Sequence, residues 1–574
     1  MNKKTLIALS AIAFSANLKA QDFTWAKDAY YSKEADGKGV VVSKTNGIYI
    51  IGDFTDTLNF GSTPVFANNT NAKSGFLAKY DTSGNFQWVV PLKGTTNLKE
   101  VTTDGIAIDK NSNIFVTGKF IGGMQIGTYT LTEPNGKKAF YLVKFDSLGN
   151  VLWADAQIGS STIDVEGKRV VVDNAGNAYV CGKLKGGSIT FGGFTLTYST
   201  TTNGEVGFIA KYSPTGTVLW AKTITNTTNG KSAVENLTLD SAGNIYIAGK
   251  FDDICTLGDG TTQTLTPSGA ENFVIAKLNP TGGVIWAFTA GINSGTNKNS
   301  AKAIGLDPSG NVYATGEFQN AISFDNSGNF DFVNPGKNSW VAKWTNNGTL
   351  LWVRVHNSGS NSSDEFKTDD LAVDDLGNLL IIGKFTSTVQ IGNLPPMTSS
   401  GGKNTFLVKY STSGTPLWVK TITGTLDIEG KRLAIDNTGK AIICGSFKSN
   451  AVFGGTVGTL TYNGNAGVKN FFVARHNSGM YITPPNTVGI SNLQNQFINV
   501  SVFPNPFTES IIVKNIPAEK NSLITLVGAD GRIIFSSNTG NDQIIINTSH
   551  LSAGIYFLNI RAEGKTLSYK VLKN

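Results

Sequence analysis

The stretch Asp240–Phe251 reads DSAGNIYIAGKF. It returns as DPSGNVYATGEF at Asp307–Phe318 and as DNAGNAYVCGKL at Asp173–Leu184. Each copy opens with an Asp, whose carboxylate can hydrogen-bond the backbone of a turn. Gly and Asn follow, and both tolerate the positive φ that tight hairpins require. Next comes a short run of β-branched and aromatic residues, the composition of a strand. The repeated phrase therefore encodes a tight turn and the strand that leaves it.

Tryptophans set the period. Trp25, Trp88, Trp153, Trp220, Trp286, Trp352 and Trp418 are separated by 63, 65, 67, 66, 66 and 66 residues. Six of them end phrases of one kind, from KYDTSGNFQW at Lys79 to KYSTSGTPLW at Lys409, and a seventh copy, RHNSGMY from Arg475, has lost its tryptophan. The first phrase also has seven copies, from NGIYIIGDF to GKAIICGSF. An internal period of this length marks a repeat architecture. Each unit reads as four short strands, for example ENLTLD, NIYIAGKF, NFVIAKL and GVIWAFT. Four antiparallel strands repeated radially make a β-propeller. A linear solenoid would carry atypical capping repeats at its ends. Here the ends complement each other: FTWAKDA at Phe23–Ala29 precedes any full unit, and the last unit lacks its tryptophan strand. The expected fold is all-β, a ring of seven four-stranded blades whose seventh is completed by the N-terminal strand. Each repeat tryptophan is expected to be mostly buried between neighbouring sheets.

Composition agrees. The chain has 574 residues, 40% hydrophobic and 16% charged, with 65 glycines. That suits a turn-rich β protein and not a disordered one. The net charge of +7 is spread without a basic run, so no nucleic-acid partner is expected. Residues 1–20 read as a signal peptide: Asn2-Lys3-Lys4, then the apolar TLIALSAIAFSA, with cleavage after Ala20. No later segment is apolar enough for a transmembrane helix. The three cysteines, Cys181, Cys255 and Cys444, suit no disulfide framework and read as buried free thiols.

The propeller is expected over 21–484, a Pro/Asn/Gln-rich linker over 485–497, and a separate domain over 498–574. The tail has short alternating strands with ADG and SAG turns, the pattern of a small Ig-like β-sandwich. The repeats resemble the β-propeller repeats of secreted bacterial proteins (SBBP-like repeats), a likeness specific for fold and nearly silent on activity. In the tail, VFPNPF (Val502–Phe507), GADGRII (Gly528–Ile534), LSAGIYFLNI (Leu551–Ile560) and the terminal KVLKN resemble the type A C-terminal sorting domain of the type IX secretion system of Bacteroidetes. Phe503 stands where tyrosine is common in that family. The resemblance implies the type IX machinery as a partner of residues 498–574, carriage across the outer membrane, and release or surface attachment. An ordinary adhesion module is the alternative reading of the tail.

Catalytic signatures are missing from the sequence. His356, His476 and His550 lie far apart and outside any cluster of ligand spacing. There is no G-x-S-x-G elbow and no P-loop. The Asp of DxxGN suggests calcium at first sight, but such a loop needs several oxygen ligands at alternating positions. No metal or cofactor is expected. A residue present in every blade cannot define a unique site. The recurring Asp, the recurring Lys or Arg of the third strand and the recurring Gly of the G-K-F position are therefore expected to serve architecture within each blade.

Function is expected where the units differ, on the face carrying the longer second-to-third loops. Three sets of positions lead into the innermost strands. The outermost set is Glu34, Glu100, Asp164, Lys231, Lys298, Glu365 and Asp427. Next come Asp36, Thr102, Glu166, Ala233, Ser300, Lys367 and Glu429, and then Lys38, Asp104, Lys168, Glu235, Lys302, Asp369 and Lys431. From these, Glu34, Glu100, Asp164, Glu166, Lys231, Glu235, Lys298, Asp369 and Glu429 are the ligand-binding candidates. Such a mixed-charge ring reads either as a solvated rim of compensating charges or as a polar pocket for a ligand, and in the second reading the change of sign from blade to blade gives an asymmetric field at the axial mouth. Two functions fit. One is a non-enzymatic module that binds a glycan, peptide or protein. The other is a hydrolase or lyase acting on polysaccharide, which would need two carboxylates at a glycosidase spacing of roughly 5–9.5 Å.

Overall fold

The computed structural model describes residues 22–478 and 500–573, apart from short stretches inside each. The expected signal peptide and the linker over 485–497 lie outside the described residues. Two compact units are present, one within Asn17–Met480 and one within Tyr481–Asn574.

The first unit is a propeller. Among the described residues, seven four-stranded antiparallel sheets repeat. The first blade runs Glu34–Val42, Ile48–Thr55, Lys73–Tyr80 and Phe86–Gly94. The seventh has three strands of its own, Ile428–Ile435, Ala441–Phe447 and Asn470–His476, and takes Phe23–Asp28 as its fourth. In that pairing Trp25 stands opposite Arg475 and Ala26 opposite Ala474. Each blade's first strand touches the first strand of the next, and the seventh returns to the first. Ring closure removes the free sheet edges that an open arc would leave.

The DxxGN turn is built as its residues dictate. Asp240 accepts backbone N–H bonds from Ala242 (3.0 Å) and Asn244 (2.9 Å) on one oxygen and the Asn244 amide (2.8 Å) on the other. Gly243 has φ +81°. With both carboxylate oxygens occupied by its own turn, this Asp is a turn former, as expected.

The recurring cation and tryptophan do more than expected. Within its blade, Lys343 pairs with the turn Asp307 at 3.0 Å and lies over the Tyr313 ring at 4.6 Å. The same side chains also reach the next blade. Lys79 donates to the Ser147 carbonyl, Lys144 to Pro214, Lys343 to Thr412, Lys409 to Ser478, and Arg475 closes the circle on Thr82. Trp25, Trp153, Trp286 and Trp352 donate their indole N–H to the same turns, on Thr82, Pro214, Asn346 and Thr412. Each of these indoles also rests on a turn glycine of positive φ, as Trp286 does on Gly348. The tryptophans are consequently mostly buried joints between blades, as expected, with Trp352 the most buried at 9% exposure.

The second-to-third connections form outer hairpins, such as Gly123–Ile126 with Tyr129–Thr132. This one reaches back to the outermost strand of the preceding blade, Met124 opposite Gly94. The cysteines are buried free thiols, and burial pushes each thiol up to about 12. His476 is buried between the Phe23 and Trp418 rings.

The second unit is a β-sandwich. One sheet joins Ser501–Phe503, Ser510–Lys514 and Gln543–Asn547; the other joins Ile533–Thr539, Ser522–Gly528, Gly554–Ala562 and Lys565–Lys573. Ile511, Val513 and Ile546 from the first meet Ile524, Leu526 and Leu558 from the second in one core.

Candidate functional site

The axial wall begins with a glycine. At the G-K-F position a Cβ on Gly249 would lie 2.1 Å from the Ala233 carbonyl oxygen, on Gly182 2.0 Å from Glu166 O, and on Gly316 1.9 Å from Ser300 O. Only a residue without Cβ lets the second strand approach the first so closely. Opposite each such glycine the first strand carries a bulge that leaves one residue without a pairing partner. The extra residues are Lys38, Asp104, Lys168, Glu235, Lys302, Asp369 and Lys431. All seven are charged, all are partly exposed, and the signs alternate from blade to blade. An odd ring cannot alternate throughout, so Lys431 and Lys38 meet as like charges where the seventh blade joins the first.

Asp36 sits at that join. It is 6% exposed and takes Lys431 at 2.7 Å, Lys38 at 3.0 Å and Lys469 at 3.8 Å. Burial opposes its ionisation, but the three ammonium groups hold it below the ordinary carboxylate range. Nearby Asp53 is pushed up to about 7 by burial, against the pull of Lys38, and accepts the Thr103 N–H (2.8 Å) and hydroxyl (3.0 Å) of the next blade.

The outermost lead-in positions form inter-blade staples. Several lie beside the residue that starts or enters the third strand of the preceding blade, and in the sequence the signs of the two positions are complementary all the way round. Lys73, Lys138, Lys337, Lys403 and Lys469 precede Glu100, Asp164, Glu365, Asp427 and Glu34. Glu205 and Glu271 precede Lys231 and Lys298. Several pairs are in direct contact or register. Lys337 bonds Glu365 at 2.7 Å, the Asp164 carboxylate accepts the Lys138 N–H at 3.0 Å, and Glu271 stands opposite Lys298. Among the described residues the Lys337–Glu365 pair joins side chain to side chain; the Glu205 and Glu271 carboxylates take Lys183 at 3.1 Å and Lys250 at 2.7 Å within their own blade.

The nine candidates separate accordingly. Glu166 is 5% exposed and takes Lys138 at 2.7 Å, Lys119 at 3.1 Å and Lys168 at 4.0 Å. Burial raises it, but the Lys138 hydrogen bond and the charge of Lys119 outweigh burial and bring it to about 2. It is a structural hub. Asp164, Lys231 and Lys298 belong to the staples; the Lys231 N–H is also bound by the Asp252 carboxylate. Glu34 lines a small cleft with Asp36, Asp53 and Lys73, and Glu100 holds the Ile121 N–H through its backbone carbonyl at 2.9 Å. Glu429 stands 3.8 Å from Lys431 and 4.0 Å from Lys469. Glu235 and Asp369 are on the axial ring, Asp369 paired with Lys384 at 3.2 Å.

One position beyond the ring lies a group that the sequence reading missed. Most blades there carry a small or neutral residue: Gly39, Gly105, Asn236 and Ala303. Blades three, six and seven carry Arg169, Asp370 and Arg432. Arg169 crosses the axis to Asp370 at 3.1 Å, a contact between residues 201 apart. Two arginines and an aspartate among glycines and alanine were the available signal.

Residues 501–574 match the family model of the secretion system C-terminal sorting domain. The sorting-domain reading of the tail therefore stands, and the chain is secreted or held at the outer-membrane surface. No helix among the described residues is long and apolar enough to cross a membrane. A curated relative, an uncharacterized WD repeat-containing protein of Acanthamoeba polyphaga mimivirus, is 24% identical over 55% of this chain. The chain spans 27% of that relative's length. Among solved structures, PorZ, a surface component of the type-IX secretion system of Porphyromonas gingivalis, aligns at 10% identity over 96% of this chain and 100% of its own, with a TM-score of 0.17. A protein of unknown function from Dyadobacter fermentans aligns at 10% identity over 79% and 98%, with a TM-score of 0.35. The blade architecture rests on the strand pairing described above.

Proposed function

We propose that the propeller is a non-enzymatic binding module, displayed outside the cell, that takes a glycan, peptide or protein ligand at the axial mouth on the loop face. One observation carries this reading. The residues common to all blades are consumed by turns and inter-blade joints. The bulge ring is where the blades project charges of alternating sign toward the axis, and convergent polar groups are what orient a ligand. The polysaccharide-cleaving alternative gains nothing from Glu166, since a carboxyl held near 2 by lysines is poorly suited to donate a proton at neutral pH.

The test is a glycan and protein array probed with the mature protein, with bound polysaccharides then assayed for cleavage. Lys168→Glu and Glu235→Lys should abolish capture, while changes at Asn177 or Asn244 in the turns should not. Glu166 is not a useful probe, because its loss would disturb the fold. Dependence on the turn residues alone, or cleavage of a captured polysaccharide, overturns the reading.

A further inference from the structure

The axial arginines are under-compensated. Asp370 has both oxygens engaged, one by the Arg169 guanidinium at 3.1 Å and the other by the Leu433 N–H at 3.1 Å. Arg432 gives one N–H to the Lys431 carbonyl at 2.8 Å, while its Nε is buried without a hydrogen-bond partner. Among the described residues Arg432 has no ion pair. One guanidinium therefore holds the carboxylate, its neighbour has no anion, and a buried N–H of the second is unused. Their proximity is felt: burial and the like charge of Arg432 lower Arg169 to about 10. Arg432 is partly exposed, so solvent reaches its side chain.

We infer that Arg432, with Arg169 beside it, is the floor of an anion-binding site on the propeller axis, which takes the carboxylate, sulfate or phosphate group of a ligand entering through the charged ring. A guanidinium presents N–H groups in a fixed fork that matches such oxyanions, and a hydrogen bond to an ionised group is about twice as strong as a neutral one. An anion there would supply the missing acceptor for Arg432 Nε and relieve the repulsion between the two cations. An unsatisfied buried donor is costly, which gives the free site a reason to bind. The inference deepens the binding-module reading and rests on the axial mouth being the ligand's way in.

The experiment titrates the full mature chain with sodium sulfate, phosphate and acetate, by calorimetry and by the shift in Tm. Saturable binding in the millimolar range is expected. Arg432→Gln should weaken it at least tenfold while melting no lower than the parent in anion-free buffer, since one of two like charges is gone. Asp370→Asn should tighten binding several-fold by removing the competing carboxylate, which keeps the inference testable if Arg432→Gln does not fold. General salting-out by sulfate would persist in Arg432→Gln, so an equal Tm rise in parent and variant overturns the site. The arms separate the two readings. Array ligands without an acidic group, bound equally by parent and Arg432→Gln, sink the anion site and leave the binding module standing. Specific anion binding with no array ligand captured does the reverse.

Discussion

Replacing Asp36 by Asn removes the one carboxylate that separates Lys431 from Lys38 at the join of the ring. The side chain keeps its size, so the perturbation is a charge. Lys431 lies 2.7 Å and Lys38 3.0 Å from its oxygens. At an effective dielectric constant of about 20, each contact near 3 Å represents roughly 5 kcal/mol of gross attraction, most of it offset by the cost of taking the ions out of water. Removing one member of a buried pair leaves the partners uncompensated and costs about 3–5 kcal/mol net. For a propeller of this size, at about 2.1 cal/mol/K per residue, each kcal/mol moves Tm by about 1 °C. Asp36→Asn should therefore lower the propeller's Tm by about 3–5 °C in differential scanning calorimetry of the mature chain. Adding Lys431→Gln to that background should recover part of the loss, because the remaining repulsion is relieved. An unchanged Tm, or a further fall in the double variant, refutes the account of the ring.

The Glu271–Lys250 pair at 2.7 Å makes a sign-reversal prediction: Glu271→Lys should destabilise the fourth blade by about 1 kcal/mol, and Lys250→Glu added to it should restore stability in a double-mutant cycle. Acid should loosen the ring through its hub carboxylates. Glu166 and Glu365, each lowered to about 2 from an ordinary 4.5, contribute stability that is fully present above about 4.5 and is lost as pH falls toward 2. Glu166→Gln should flatten the acid limb of the stability profile in that window, and an unchanged slope counts against the hub. A chain ending near Pro485 should fold and melt like the propeller of the full protein but stay in the periplasm, as fractionation would show; its efficient export would contradict the role given to the tail.

The seven units, the closing strand from Phe23, the turn function of DxxGN and the sorting tail were legible in the sequence, because each is written in local residue chemistry and then repeated. The glycine of the G-K-F position and the charges five residues before the turn Asp were visible as columns of the repeat. Their connection was not. It takes the pairing of Gly249 with Val234 and of Ala248 with Asn236 to show that the glycine faces a bulge and that the bulge residue is the charged one. The staples were hidden for a related reason: Lys337 and Glu365 pair across two blades, and nothing inside either blade announces it. Sequence by itself determined the ring and its joints, since turns, strand patterns and blade period are short-range properties. Tertiary structure alone decided which charges meet. Arg169 and Asp370 lie 201 residues apart and touch because ring closure brings opposite blades to one axis, and no local pattern in a single blade encodes a distance across the ring.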